Sequence, residues 1–400
     1  MKVLYILHTS ANNDGSSKAL RNFLPLLKAK GVEVLVVCPR GGGITKSLDK
    51  TKIRSITLHF AYRPSVYPWS ESFHDKLLFL PRLFGRWMVN MCATIELLSI
   101  AKQFQPDIIH TNSSVCAIGY YVSRLLHIKH IWHIREYGAL DFHYYYYPNR
   151  NCQLRRYKKN DSYTLCITRD IQCYNHLEQS ITSKVIYDGV LSSKYIVYKP
   201  EKKPYFLFAG FVCPAKGVLP LVEAYAEYHK QCPTPLPLWI AGKYIKDTYT
   251  DKIKEIINQH KLEKEVIFLG LRQDILRLYQ EAQALIVPSL SEGFGFITTE
   301  AMFSGCLVIG HDVAGTKEQF DNGKQITGLE IGLRYITQNQ LVQYLLDITI
   351  SRHKDTFNKI YEPMILRGQQ VVKQLYTTEY NTKQIYQFYK DIILPSVEIK

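Results

Sequence analysis

The sequence predicts an α/β protein built from two parallel-sheet domains, and three observations carry that expectation. Short apolar runs of strand length alternate with helical patterns along the whole chain, the arrangement in which crossover helices return each strand parallel to the last. The alternation breaks at Tyr198-Lys199-Pro200-Glu201-Lys202-Lys203-Pro204, where prolines and charges read as a linker. Finally, 400 residues at 46% hydrophobic content suffice for two cores. No uncharged apolar run approaches the roughly 20 residues that a membrane span requires.

The elements follow in order. Met1-Lys2-Val3-Leu4-Tyr5-Ile6-Leu7 is apolar only briefly before His8 and Asn12-Asn13-Asp14, too short for a signal peptide, and reads as a first buried strand. Gly15-Ser16-Ser17-Lys18 opens a helix over 17–30, with amides available to a ligand at the strand's end. It is not a dinucleotide fingerprint, since Gly-x-Gly-x-x-Gly is absent. Apolar runs near 33–37, 53–59, 107–110, 129–134, 163–167 and 184–187 are expected strands, with helices over 75–103 and 116–126. Past the linker, strands near 205–210, 236–241, 265–269, 283–287 and 306–309 alternate with helices, and a last helical run covers 380–394. No repeat of solenoid length is present.

The densest chemistry lies in Ser291-Glu292-Gly293-Phe294-Gly295-Phe296-Ile297, which continues to Glu300-Ala301-Met302. It follows the buried-strand run Ala284-Leu285-Ile286-Val287, which places Glu292 on the loop at the strand's C-terminal end, where open α/β sheets bind ligands. Gly293 and Gly295 allow close backbone approach, and the amides of Gly295, Phe296 and Ile297 become helix N-terminal donors suited to phosphate. Glu300 lies about one turn into the helix, where a carboxylate accepts the two hydroxyls of a ribose. Ordinary acidic residues at a helix start are the plainer alternative.

These residues, with Pro288-Ser289 before them and Gly305 after, resemble the retaining glycosyltransferases of family 4. Further matches are Phe208-Ala209-Gly210, Lys216-Gly217, Ile240-Ala241-Gly242, Val266-Ile267-Phe268-Leu269-Gly270, and Gly315 with Glu318. In the first half they are Asp107-Ile108-Ile109-His110, His133 and Asp188-Gly189-Val190, the last where the family usually has Asn-Gly-Val. The resemblance implies the GT-B fold: two Rossmann-like domains facing across a cleft, with a C-terminal helix crossing back to the first. The first domain (1–192, joined by 378–400) would bind the acceptor and the second (200–377) the nucleotide-sugar. It also implies that Lys216 and Gly210 serve the donor's pyrophosphate and that Glu292 positions the sugar or reaction centre. His133 would line the sugar site, orienting rather than acting as a strong base, with His110 the lesser candidate. The family usually carries Arg directly after the first glycine; Phe211 stands there, so either Lys216 and the helix N-terminus suffice or another cation such as Arg272 substitutes.

No Asp-x-Asp occurs in the chain, so Lys216 and backbone amides are the expected charge sink, and no metal or other cofactor is expected. Nine cysteines are scattered without Cys-x-x-Cys or paired Cys/His spacing, consistent with reduced thiols in the cytoplasm. Charge is asymmetric: residues 1–200 hold 27 Lys and Arg against 13 Asp and Glu, whereas 201–400 hold 23 against 22. A first half at +14 implies an anionic partner, either a membrane surface or a pyrophosphate-bearing acceptor; a basic surface kept for solubility is the alternative. Nucleic acid is not expected, because no recognised module is present. Leu77–Met88 mixes large apolar residues with Arg82 and Arg86, which suits either a lipid headgroup boundary or a core-facing helix with snorkelling arginines. Tyr144-Tyr145-Tyr146-Tyr147 suits stacking on sugars or packing of a loop.

The expected activity is therefore transfer of a hexose, with retention, from a nucleoside diphosphate sugar with a uridine base to a glycan or lipid-linked acceptor. The expected location is the cytoplasm, peripheral on the inner face of the cell membrane. The alternatives are a non-catalytic sugar-nucleotide-binding protein and a nucleotide-sugar isomerase of the same architecture.

Overall fold

The alternation read from the sequence becomes two parallel sheets, one in each of two units. The computed structural model describes residues 1–12, 14–60, 66–68, 77–138, 140, 144–146 and 148–394. One unit comprises Met1–Gly189 with Thr378–Lys400, the other Val190–Thr377. The expected helix start at 75 and Tyr147 lie outside the described residues.

In the first unit the strands are β1 (Lys2–Ile6), β2 (Glu33–Pro39), β3 (Arg54–Leu58), β4 (Val66–Pro68), β5 (Ile108–Thr111), β6 (Lys129–Ile134), β7 (Tyr144–Tyr146), β8 (Ser162–Cys166) and β9 (Ser183–Val185). Seven of them form the parallel sheet β3-β2-β1-β5-β6-β8-β9, and β4 pairs antiparallel with β7. That small pair escaped the sequence reading because three residues are too few to show a period of two. Val3, Leu4, Tyr5 and Ile6 of β1 are all fully buried, as expected of a parallel strand covered on both faces. Helices α1 (Gly15–Ala29), α2 (Ile44–Lys50), α3 (Phe79–Phe104), α4 (Ile118–Leu126), α5 (Arg150–Tyr157) and α6 (Arg169–Tyr174) join the strands.

The second unit has strands β10 (Phe206–Ala209), β11 (Leu238–Ala241), β12 (Val266–Gly270), β13 (Ala284–Val287), β14 (Val308–His311) and β15 (Leu333–Tyr335), in the order β12-β11-β10-β13-β14-β15. The sequence reading missed β15, a three-residue edge strand that contains the ion-paired Arg334. The helices are α7 (Val218–Gln231), α8 (Thr248–Gln259), α9 (Ile275–Glu281), α10 (Phe296–Phe303), α11 (Ala314–Thr327), α12 (Gln338–His353) and α13 (Phe357–Leu375). The last helix, α14 (Thr378–Ile393), belongs to the first unit. Its Ile385, Phe388, Tyr389 and Ile392 share a core with Leu20, Phe23, Leu24 and Leu27 of α1. Each such side chain contributes roughly 1.5–3 kcal/mol on burial, enough in sum to hold a helix whose chain arrives from the other unit.

Each sheet reverses its strand order once, at β1/β5 and at β10/β13. The loops beyond the strands' C-terminal ends diverge there and leave a crevice, the place where such sheets take ligands.

Candidate functional site

At the β10/β13 reversal two loops are locked together. The Leu290 amide donates to the Ala215 carbonyl at 2.9 Å. Gly217, at φ +65°, lies so close to Pro288 that a Cβ would fall 2.0 Å from the Pro288 oxygen. Only glycine fits that contact, and through it the turn carrying Lys216 is pressed against the loop carrying Glu292. Lys216 Nζ donates to Glu292 Oε1 at 3.0 Å, with the two side chains 26% and 13% exposed. Glu292 Oε2 is buried and has no hydrogen-bond partner among the described residues.

The loop then enters α10 through Gly295 at φ +92°, and no side chain caps the helix. Gly293, Phe296 and Ile297 are half-buried, whereas Phe294 is buried and packs edge-on against Phe296 and Tyr376. Glu300 is 4% exposed and accepts from the Tyr279 hydroxyl at 3.4 Å. Helix α11 shapes this loop from behind. The Gly315 amide donates to the Glu292 carbonyl at 2.9 Å, and a Cβ on Gly315 would lie 2.5 Å from the Phe294 oxygen. The Gln319 amide nitrogen donates to the Phe294 carbonyl and, at 3.1 Å, to that of Gly295. The sequence reading noted Gly315 and Glu318 but missed Gln319. A polar residue four positions after a helix-start glycine was the only local signal.

Gly210 follows β10, its amide donating to the Ala241 carbonyl, and Phe211 beyond it is 42% exposed. Arg272, one of the two alternatives for the missing cation, is bound bidentately by Asp274 at 2.8 and 2.7 Å. The structure thus brings together Lys216, Glu292 and the 293–297 loop, while the Arg272 guanidinium is committed to its own loop.

In the first unit His133 does not open onto the strand-end side as expected. It shares its face of β6 with Ile131, which packs into the α1/α14 core, and is 1% exposed. Arg135 Nη1 donates to His133 Nε2 at 3.0 Å. Because a guanidinium only donates, that nitrogen must be the acceptor, and the neighbouring tautomers follow. His133 Nδ1 then donates to His110 Nε2 at 3.1 Å, and His110 Nδ1 to the Tyr389 hydroxyl at 2.6 Å. Tyr389 in turn bonds Tyr5. Burial, with the charge of Arg135 in support, holds both imidazoles well below the ordinary histidine range, so both are neutral. The other guanidinium nitrogen of Arg135 binds Asp188 at 2.5 Å, both side chains almost fully buried. The sequence reading did not foresee this chain, whose links span up to 384 residues.

Gly15 opens α1, where Asp14 is the cap: its carboxylate accepts from the Ser17 amide and from the Ser16 and Ser17 hydroxyls at 2.7–3.0 Å. The helix start with amides expected to be available to a ligand therefore carries a carboxylate of its own. Nearby Glu136, not anticipated, is 8% exposed and accepts from the Ser113 hydroxyl and from the Ser114 amide and hydroxyl.

A family model for "Glycosyltransferase Family 4" matches residues 13–172, and one for "Glycosyl transferases group 1" matches 194–353. An uncharacterized glycosyltransferase of Methanocaldococcus jannaschii is 29% identical over 163 residues, covering 40% of this chain and 42% of that protein. The O-antigen chain mannosyltransferase RfbU of Salmonella typhimurium is 31% identical over 141 residues, 35% and 38% of the two chains. The matches thus span about two-fifths of these relatives' length. Among solved structures, Anabaena Alr3699/HepE in complex with UDP superposes with a TM-score of 0.76 at 18% identity, covering 98% of this chain and 100% of that one. The same protein in complex with UDP-glucose gives 0.73 at 18%, with the same coverage. At such identity the likeness is one of fold. With one model matched in each unit, the chain carries a glycosyltransferase family 4 domain followed by a group 1 glycosyltransferase domain and has the GT-B fold.

Proposed function

We propose that the protein transfers a hexosyl group from a nucleoside diphosphate sugar, with uridine as the base, to a hydroxyl of a glycan or lipid-linked acceptor. In this reading the anomeric configuration is retained and no metal ion takes part. One observation carries it: Glu292 holds one carboxylate oxygen on Lys216 and keeps the other buried and unbonded. An orphaned buried acceptor is costly, and a sugar hydroxyl satisfies it. Lys216 and the α10 amides, preorganised where leaving-group charge develops, stabilise the departing diphosphate. Glu300 takes the ribose hydroxyls. His133, with both nitrogens engaged, positions Arg135 instead of exchanging a proton. That HepE has been solved with UDP and with UDP-glucose, and that RfbU is named a mannosyltransferase, supports a sugar nucleotide as the donor.

The test begins with a thermal-shift panel of nucleotide-sugars, followed by NMR of the anomeric proton during turnover with a hydroxyl acceptor. A product of inverted configuration, or no nucleotide-sugar that stabilises the protein, overturns the reading. A second reading, a sugar-nucleotide-binding protein without turnover, is favoured by Phe211 at the usual arginine position and by the pairing of Arg272 with Asp274. Binding of a nucleotide-sugar without its consumption would decide for it.

The reading extends to a place at the inner membrane face. Leu77, Leu80, Phe84, Trp87, Met88, Met91 and Ile95 recur at helical spacing on and just before α3 and are 40–67% exposed, whereas Arg82 and Arg86 are half-buried. That exposure favours the headgroup-boundary alternative over a core-facing helix. Among the described residues no helix is long and apolar enough to cross a membrane.

A further inference from the structure

We propose that Tyr389, on the C-terminal helix α14, is a positioning residue for sugar transfer: through His110 and His133 it fixes the orientation of Arg135 at the end of β6. This rests on the reading that the protein transfers sugars, and it brings into that reading a helix from the far end of the sequence. Tyr5 lies on β1, His110 on β5 and His133 on β6, and their rings form one row beneath α14. Tyr5 stacks on His110 at 4.6 Å between ring centres, His133 lies 5.2 Å from His110, and Tyr389 meets His110 edge-on at 5.8 Å.

Direction is set at the arginine end, because a guanidinium only donates. Its bond to His133 Nε2 leaves the His133 proton on Nδ1, and the bond from there to His110 Nε2 leaves the His110 proton on its own Nδ1, facing the Tyr389 oxygen. Each neutral imidazole thus has its one donor and its one acceptor engaged. A disturbance cannot be absorbed at one link. Were His110 to carry its proton on Nε2, that N–H would face the His133 N–H. Were His133 to shift as well, its Nε2 proton would face Arg135. The Tyr389 hydroxyl is the acceptor that completes the one consistent arrangement. Removing it leaves a buried N–H without a partner or drives the change through to Arg135.

Packing alone does not call for these groups. Tyr5, His110, His133 and Tyr389 are 0–1% exposed, and Leu20, Phe23, Ile131 and Ile385 share the core with the two tyrosines. Apolar side chains of similar shape would fill that space with no polar atoms to satisfy. A fully satisfied buried network specifies one geometry instead. The outer end of the chain is where such a geometry is used. Arg135 follows β6, and its bonds from Nη1 to His133 and from Nη2 to Asp188 fix the plane of the guanidinium, with Asn112 Oδ1 at 3.5 Å from Nη1.

Long-range proton–nitrogen NMR of the full chain, isotope-labelled at histidine and arginine, reads the chain without turnover. The wild type should show His110 and His133 both protonated on Nδ1. Tyr389→Phe, and His110→Asn one link further in, should each shift the His133 Nε2 and Arg135 side-chain signals. Each should also lower kcat roughly tenfold, the scale of a misplaced group in a reaction that depends on orientation. The KM for the nucleotide-sugar should stay within about twofold. Ile385→Val loosens the same core without touching the chain, so it should lower Tm yet keep the signals and kcat. Protonation of either histidine on Nε2 in the wild type, unshifted signals in both variants, an unchanged kcat, or an equal loss of kcat in Ile385→Val overturns the inference. The expected shifts in a chain that consumes no nucleotide-sugar leave the hold on Arg135 standing and remove the proposed reaction instead. If circular dichroism shows one variant unfolded, the other carries the comparison.

Discussion

Lys216 Nζ lies 3.0 Å from Glu292 Oε1, a pair made between loops 76 residues apart in sequence. The pairing leaves each group with a second use. The ammonium has further N–H donors, and the carboxylate has a buried free oxygen. A diphosphate arriving at Lys216 competes with Glu292, and a sugar hydroxyl at Oε2 compensates the carboxylate for what it loses. The pair is thus poised to receive an anion and a polyol together.

Nucleotide affinity should depend on Glu300 through the ribose. Glu300→Ala should weaken UDP binding by roughly 1.5–3 kcal/mol, the range for hydrogen bonds to a charged group. The wild type should also prefer UDP to its 2′-deoxy analogue, a preference the variant loses. Calorimetry that finds the same affinity in both proteins places the ribose elsewhere.

On the proposal that Lys216 and the α10 amides carry the leaving-group charge, activity should survive excess EDTA. Lys216→Ala should then lower kcat/KM by roughly tenfold or more, as expected for one charged contact in the transition state. Turnover that collapses with chelator and returns with Mn²⁺ contradicts this.

The clamp from α11 should matter to binding through the loop it holds. Gln319→Ala removes the donor shared by the Phe294 and Gly295 carbonyls, and Gly315→Ala forces a Cβ to within 2.5 Å of the Phe294 oxygen. Each should cost about 1–3 kcal/mol of stability and weaken UDP binding, readable as a lower Tm and a smaller ligand-induced Tm shift. A normal ligand shift in either variant would show that the loop does not need the clamp.

Stability of the first unit should fall as pH drops below about 6.5. His110, His130 and His133 are all held neutral by burial, with His130 lowered to about 3. The unfolded chain takes up protons there that the folded chain refuses, so acid favours unfolding. Each histidine adds about 1.4 kcal/mol per pH unit to the slope. Asp188 acts in the opposite sense, since burial raises its carboxyl against the pull of Arg135. His130→Gln should flatten the dependence of the urea midpoint on pH, and an unchanged slope would show that His130 does not contribute.

Anionic vesicles should bind the protein at low salt and release it at high salt, since attraction of about 1 kcal/mol per basic residue near the surface is screened. Replacing Leu80, Phe84 and Trp87 with Ser should reduce co-sedimentation and leave UDP affinity unchanged. A wild type that ignores such vesicles at low salt turns the α3 stripe toward another partner.

The sequence by itself determined the alternating architecture and the placement of the donor-site candidates. Strands such as Ala284–Val287, buried on both faces, read as unbroken apolar runs. Glu292 and Glu300 lie eight positions apart across one turn into one helix, so local pattern alone located them at a strand end. Only the tertiary structure decided which groups meet. Lys216 finds Glu292 because β10 and β13 are neighbours in the sheet, although 76 residues separate the pair. His133 turned inward, and its strand parity was legible, but His110 reaches it only through the pairing of β5 with β6, and Tyr389 reaches His110 only when α14 docks on the first sheet. Glu136 finds Ser113 and Ser114 in the same way, across β5 and β6. Periodicity records how each residue faces its own element, whereas a hydrogen bond between elements depends on strand order and crossover, which no local stretch of sequence contains.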